Sequence, residues 1–430
     1  MNPRKLSYSI FIRNNRLTKL NQEKDSFFMS YSQSNNRDRF SRGRSSSYGG
    51  GSRNKRRTNQ YIDPNKFIKT AKMTEAEVYV PENKFADFVV DPLIAVNLKA
   101  MGYELPSPIQ DKTIPVALTG RDIVGIANTG TGKTAAFLIP VIDKLMKNRN
   151  SKVIILAPTR ELAEQIEEQT RAIAKGSGLM GALLMGGVSM QPQLSDLRKN
   201  PQIIIGTPGR VKDHIERRTL KIADVNVVVL DEVDRMLDMG FIDDITEILN
   251  ATNQDRQSFF FSATLEGKVR TSIEDFSKDP VHIMVKTGDT SDNVHQNVVN
   301  YNTKDEKINK LYDILNDEKV SKTLIFDDTH HNVERLNDEL RSRGFDSEAI
   351  HGGKSQAQRQ RALKKFKDSN VKVLVATDVA ARGIDVSDIT HVVNFSLPQT
   401  YQDYVHRIGR AGRAGRVGHA LTFVEQRRNY

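Results

Sequence analysis

The 430-residue chain contains no cysteine. That absence excludes disulfides, thiolate metal sites and cysteine nucleophiles, and it fits a reducing compartment such as the cytoplasm. No run of about 18 apolar residues occurs, so no membrane-spanning helix is expected. Acidic residues are scarce in one region only. Residues 1–60 hold 14 Lys+Arg and 3 Asp+Glu, an excess equal to the +11 net charge of the whole chain. The rest of the chain keeps 50 of the 64 basic and 50 of the 53 acidic side chains. Its body is therefore neutral, and any binding of a polyanion by that body must come from placed groups rather than bulk charge.

The basic excess falls in two kinds of sequence. Residues 30–60 are rich in Ser, Gly, Asn and Arg. They hold too few apolar groups to offset the entropy of ordering, and we expect a disordered tail over 1–60. Arginines interleaved with Tyr31, Phe40 and Tyr48 suit an RNA-adhesive segment, with charge for phosphate and rings for bases. A solvated spacer explains the same composition. In residues 1–28, Arg4, Lys5, Arg13, Arg16 and Lys19 precede the first acidic residue, Glu23. This reads as a targeting presequence or as a start placed ahead of Met29, and we favour the second.

From Asp122 a rhythm of apolar runs and helical stretches begins. Ile123–Ala127, Val153–Ala157, Ala182–Met185, Ile203–Gly206, Val227–Leu230 and Phe259–Phe261 are short and mostly uniform. Such runs suit strands covered by helices on both faces, hence a parallel α/β domain. The polar stretch 288–293 interrupts the rhythm. Leu324–Phe326, Val373–Ala376, Val392–Phe395 and Ala420–Val424 then predict a second α/β domain. The expected division is a tail over 1–60, a first domain over 61–285, a linker over 286–297 and a second domain over 298–430. Ligands of such sheets bind beyond the strand C-termini.

Two runs at such ends carry the strongest chemistry. Ala127-Asn128-Thr129-Gly130-Thr131-Gly132-Lys133-Thr134 is a glycine-rich loop between a strand and a helix. Gly130 and Gly132 let the backbone turn its N–H groups onto phosphate, and the helix N-terminus adds positive potential. Lys133 is expected on the β- and γ-phosphates, and the Thr134 hydroxyl on Mg²⁺. The general pattern has Gly where this chain has Ala127. About 100 residues on, Val227–Leu230 delivers Asp231, Glu232 and Asp234. Asp231 is the expected Mg²⁺-side carboxylate, and Glu232 the group that orients or deprotonates the attacking water. Together the two runs are the two halves of a machine for nucleoside triphosphates.

With these residues in place, the chain resembles the DEAD-box RNA helicases of superfamily 2 over roughly residues 85–425, with a compact core of bacterial type. The resemblance implies two tandem RecA-like parallel-sheet domains joined by a flexible linker. It implies an ATP-dependent RNA helicase, with RNA-stimulated ATP hydrolysis driving local remodelling of short duplexes. Phe85 and Gln110 (in Pro106-Ser-Pro-Ile-Gln110) match the adenine-reading element. Arg160 (in Pro158-Thr-Arg-Glu-Leu162), Gly187, Thr207 and Arg210 match RNA-contacting loops of the first domain. Ser262 and Thr264 match the motif that couples hydrolysis to unwinding. In the second domain, Arg359 (in Gln356-Ala-Gln-Arg359) and Thr377 fall where RNA is contacted. Gly383 and Asp385 fall near the ribose and phosphates. In His406-Arg-Ile-Gly-Arg-Ala-Gly-Arg413, Arg410 and Arg413 match arginine fingers, and His406 a link to the acidic motif. One departure is Val233, where the family usually has Ala. We expect the packing to be adapted to its two extra carbons.

The implied partners are ATP, Mg²⁺ and RNA with little sequence preference, in a monomer. Ribosome-assembly or RNA-decay proteins are candidate further partners. A DNA translocase shares the loop, the acidic strand and the arginine string, and the adenine and Ser-Ala-Thr motifs argue against it. A tail-centred RNA-annealing scaffold would not need Lys133.

Overall fold

The computed structural model describes residues 63–71, 79–128, 130–265, 267–285, 293–381, 386, 388–412 and 416–426. Thr129, Gly383, Asp385, Arg413 and the proposed tail lie outside them. Two all-parallel sheets are present. The first contains β1 (Ile123–Ile126), β2 (Val153–Leu156), β3 (Gly181–Leu184), β4 (Ile203–Gly206), β5 (Val227–Leu230), β6 (Gln257–Ser262) and β7 (Val281–Met284). Their order is β3-β4-β2-β5-β6-β1-β7. The second contains β8 (Val294–Tyr301), β9 (Thr323–Phe326), β10 (Ser347–Ile350), β11 (Val373–Ala376), β12 (His391–Asn394) and β13 (Gly418–Glu425), in the order β10-β11-β9-β12-β13-β8.

Alternation along the central strands explains their uniform apolar composition. Ile155, Ile205, Val229 and Phe259 enter one core, while Ile154, Ile204, Val228 and Phe260 enter the core on the opposite face. The second sheet divides likewise, with Leu324, Leu374 and Val392 on one side and Ile325, Val375 and Val393 on the other. Each sheet is thus buried on both faces, as parallel strands require. Among the described residues, no helix is long and apolar enough to cross a membrane.

Each apolar run read from the sequence is a strand. The reading passed over β7, β8 and β10, and all three are edge strands. One side of an edge strand has no neighbour, so exposed residues alternate with buried ones, most clearly in β7 and β8. β8 begins at Val294, inside the segment expected to be linker.

The domain division needs a second correction. Residues 63–71 were expected in the first domain, yet Phe67 is buried against Val294, Tyr404, Ile408 and Ala420 of the second. Lys69 forms an antiparallel bridge with Gln296 of β8. Sequence offered no signal, because one buried aromatic in a polar stretch has no periodicity.

The join of β4 to the following helix, Pro208–Glu216, is tight. A Cβ at Gly206 would sit 2.5 Å from the Leu184 carbonyl oxygen, an atom fixed by the sheet. Gly206→Ala is therefore expected to cost about 1–3 kcal/mol, read as a lower urea midpoint with the slope unchanged.

Candidate functional site

Helix Lys133–Lys147 starts directly after the glycine loop, and Gly132 before it has φ +94°. A side chain there would meet the Gln110 amide and the Ser107 hydroxyl. Gln110 sits in the first turn of helix Pro108–Leu118. Its carbonyl oxygen accepts from Ser107 N–H (2.9 Å), and its amide nitrogen donates to the Gly132 carbonyl (3.0 Å). The same side chain thus caps its own helix and holds the loop, using the donor and the acceptor that an amide offers together. Phe85 packs edge-on against Phe88 and Tyr103, with centroids 5.7 and 5.1 Å away.

Behind the loop lies a buried group of charges. The Lys133 ammonium is buried and donates to the Ala127 carbonyl at 3.1 Å. Asp231, Glu232 and Asp234 are buried beside it. Burial pushes Asp231 up to about 6, opposed by the Lys133 ammonium and reinforced by Glu232. Asp234 is raised for the same leading reason. Glu232 holds a left-handed backbone at φ +56°. That conformation is sparsely populated by non-glycine residues and is stored at functional sites at a cost of about 1–3 kcal/mol. It turns the chain sharply from β5 into helix Val233–Asp238.

Two hydrogen bonds tie β6 to this group. The Ser262 carbonyl accepts from Ala127 N–H at 3.1 Å. Ala263 N–H donates to the Asp234 carboxylate at 3.2 Å. Thr264 N–H donates to the Ser262 hydroxyl at 3.3 Å. The Ser-Ala-Thr segment therefore touches both the phosphate loop and the acidic turn. Val233 is accommodated in the apolar cluster with Leu230, Met236 and Phe260.

A second cluster follows the C-terminal ends of other strands, β2, β3, β4 and β11. Arg160 begins helix Arg160–Ile173, and its guanidinium lies over Gly187 (φ +71°), where any side chain would collide with it. Burial lowers the Arg160 guanidinium, with the charges of Arg359 and Arg210 contributing. Arg210 donates to the Val188 carbonyl at 3.2 Å. Thr207 precedes helix Pro208–Glu216 as its cap residue, and its N–H donates to Leu184 O at 3.0 Å. Arg359 comes from the second domain and pairs with Glu161 of the first at 2.6 Å, both side chains buried. Gln356 and Gln360 donate to the Glu164 carboxylate at 2.9 and 2.7 Å. Burial raises Glu164 to about 7 against those two bonds. Thr377, also buried, follows β11. Sequence reading missed Glu161, which lies within the recognised run Pro158–Leu162, and Glu164, two residues beyond it.

The arginine string divides by role. Arg407 is consumed by structure: its Nε and Nη2 donate to the two Asp378 oxygens at 2.6 Å each, and its Nη1 to Ser396 O at 2.7 Å. Arg410 Nε reaches His406 O at 3.4 Å. His406 and Arg410 line a small pocket together with Arg235 of the first domain. The structure therefore brings these groups to the boundary with the acidic helix.

Residues 107–273 match the DEAD/DEAH box helicase family, and residues 306–415 match the helicase conserved C-terminal domain. The chain belongs to the DEAD-box helicases. It is 45% identical over 346 residues to the ATP-dependent RNA helicase CshA of Listeria monocytogenes, covering 80% of this chain and 66% of that protein. It is 44% identical to the DEAD-box ATP-dependent RNA helicase CshA of Bacillus subtilis, covering 80% and 70%. Among solved structures it is similar to Mss116p bound to single-stranded RNA and AMP-PNP (TM-score 0.72, 29% identity, 81% of this chain and 77% of that one). It is also similar to S. cerevisiae Dbp5 bound to RNA and ADP BeF3 (TM-score 0.70, 29% identity, 80% and 90%). The two sheets are RecA-like domains, and the protein is an ATP-dependent RNA helicase.

Ionisation of a buried carboxyl with a raised folded-state value weakens the fold. Asp231 ionises near pH 4 in the unfolded chain and only near 6 in the folded one, so the deficit develops between those values and persists above them. Asp231→Asn is expected to stabilise the nucleotide-free protein at pH 8 by on the order of 3 kcal/mol, with the gain fading toward pH 4. Calorimetric melting across that range measures it; an equal or lower melting temperature at pH 8 would mean that Lys133 already compensates the charge.

Proposed function

We propose that ATP and RNA assemble one catalytic unit from the two domains. The observation that carries this reading is the buried group Lys133–Asp231–Asp234 beneath a glycine loop, bonded through Ser262 and Ala263 to the strand beside it. Loop N–H groups from Ala127 to Thr134 cradle the phosphates, and Lys133 leaves the Ala127 carbonyl for phosphate oxygen. Gln110 and Phe85 form the adenine end. Hard oxygen donors, the Asp231 carboxylate and the Thr134 hydroxyl, suit Mg²⁺ and would hold it. When bound, that ion neutralises charge on the phosphate oxygens. Glu232 orients the attacking water and accepts its proton.

From the second domain, Arg410 and Arg413 act as arginine fingers. Gly383 and Asp385 contact the ribose and phosphates, and His406 links to the acidic turn. RNA phosphates bind the cationic cluster of Arg160, Arg210 and Arg359, with Gly187, Thr207 and Thr377 contributing close backbone or hydroxyl contacts. Both ligands favour the same closed arrangement, so each strengthens binding of the other. Backbone contacts imply little sequence preference. Ser262 and Thr264 connect phosphate loss to reopening. The neutral body and absence of cysteine fit a cytoplasmic monomer that serves ribosome assembly or RNA decay.

Steady-state hydrolysis with single-stranded RNA, single-stranded DNA or neither tests the reading. Strong stimulation by RNA alone is expected, with Glu232→Gln reducing turnover by ~10²–10⁴. Equal stimulation by DNA would replace it with a general translocase.

The phosphate cluster makes a separate prediction. Arg160→Ala should weaken RNA binding similarly across sequences and reduce the salt slope by about 1. An unchanged slope in a fluorescence-anisotropy titration would remove Arg160 from the RNA path.

A further inference from the structure

The segment 63–71 lies outside the residues matched by either helicase family. It is nevertheless built into the second domain. Asp63 caps the short helix Pro64–Phe67 by accepting from Asn65 N–H at 2.9 Å. Phe67 is 1% exposed, and its ring lies 4.6 Å from that of Tyr404, centroid to centroid. Lys69 and Gln296 exchange both backbone hydrogen bonds, at 3.0 and 2.8 Å. Ala71 N–H donates to His295 Nδ1 at 3.2 Å. The segment thus closes the open side of β8, the edge of its sheet.

Its contacts converge on one helix. Tyr404 and Ile408 belong to helix Tyr401–Ile408, which leads directly into Arg410. The Tyr404 hydroxyl donates to the Gln296 side-chain oxygen at 3.0 Å. Lys69 therefore steadies by its backbone the residue that holds the Tyr404 hydroxyl, while Phe67 packs the Tyr404 ring. Lys66 places its ammonium 5.8 Å above the Tyr401 ring. On the other side, Arg407 fastens the helix to Asp378 and Ser396. Within this eight-residue helix Tyr404, Arg407 and Ile408 are the buried residues.

Residues 79–83 are bonded to the first domain. Tyr79 hydroxyl, Glu82 N–H, Asn83 N–H and the Asn83 amide all donate to the Asp111 carboxylate, at 2.6–3.1 Å. Asp111 follows Gln110, which holds the phosphate loop. Residues 79–83 are therefore anchored beside Gln110, while residues 63–71 pack against the helix that leads into Arg410.

We propose that Phe67 is a positioning residue for ATP hydrolysis: acting through Tyr404, it seats helix Tyr401–Ile408 so that Arg410 meets the nucleotide. The inference rests on the arginine-finger reading of Arg410. Phe67 packs on Val294, Tyr404, Ile408 and Ala420 and on none of the described residues of the nucleotide loop, so its removal should leave ATP binding intact while displacing the finger. Small displacements of a positioned group can cost ~10²-fold in rate.

The test is RNA-stimulated hydrolysis by the full chain carrying Phe67→Ala, Phe67→Leu, Lys69→Pro or Arg410→Ala. Phe67→Ala should lower kcat about tenfold, within the range a misplaced group produces, with KM for ATP unchanged. Phe67→Leu should restore most of the rate by refilling the site. Lys69→Pro, which removes the donor to the Gln296 carbonyl without opening the core, should lower kcat in the same direction. It decides the matter if Phe67→Ala does not fold. Full kcat in the folded Phe67 and Lys69 variants, with Arg410→Ala inactive, would overturn the positioning role and leave the finger standing. A loss expressed in KM alone would also overturn it. Undiminished hydrolysis by Arg410→Ala would instead overturn the finger, and this inference with it.

Discussion

One buried cation governs the first domain. Lys133 lies under the glycine loop with the Ala127 carbonyl at 3.1 Å and carboxylates of Asp231 and Asp234 nearby. An uncompensated ammonium at that depth would cost several kcal/mol. The carboxylates lower that cost, yet burial raises both of them. The group is therefore poorly compensated internally and well matched to a ligand that brings phosphate and a divalent cation together. Surrounding features follow from holding it in place. Gln110 fixes the loop from one side, and the Ser262 carbonyl fixes it from the other. The left-handed turn at Glu232 lets β5 present one carboxylate and the next helix another within four residues.

The same economy appears at the domain boundary. The body has no excess charge to attract RNA, so cations are concentrated by placement. Burial lowers the Arg160 guanidinium, and the like charges of Arg359 and Arg210 add to that effect. Glu161 offsets part of that repulsion from inside the protein, through its 2.6 Å pair with Arg359. A phosphate arriving at the cluster would take over that role. The pair therefore links the cationic cluster to contact between the domains, because Glu161 and Arg359 come from different domains.

Much of this was legible in the sequence, for identifiable reasons. Central strands were readable because burial on both faces makes them uniformly apolar, as in Val227–Leu230. The phosphate loop and acidic turn were readable because their chemistry forces residue type at fixed spacing. Strands β7, β8 and β10 were not, because polar residues such as His282, Gln296 and Glu348 interrupt their apolar composition. Glu161 and Glu164 were hidden for a different reason. A carboxylate on a helix of mixed charge is ordinarily solvated, and their partners lie about 190 residues away, with |i−j| of 192 and 196 for the Glu164 bonds. Arg407 looked like its neighbours Arg410 and Arg413 in the string. Only the bidentate pair with Asp378 shows that Arg407 fastens its helix.

Phe67 lies at the far limit of what pattern can reveal, and its place follows from a deficit in the second sheet. β8 is an edge strand whose Val294 and Gln296 are buried, so something outside the sheet must cover them. The helix Tyr401–Ile408 needs apolar support opposite its Arg407 fastening. One short segment meets both needs: its backbone completes β8 at Lys69 and its single ring fills the space against Tyr404. A segment with one buried side chain can hold its position only if main-chain pairing fixes its register, and the Lys69–Gln296 bridge supplies that register. The ring and the bridge are therefore one device. Loosening either should be felt at the same helix, which is why variants at two chemically unrelated positions are expected to slow hydrolysis together.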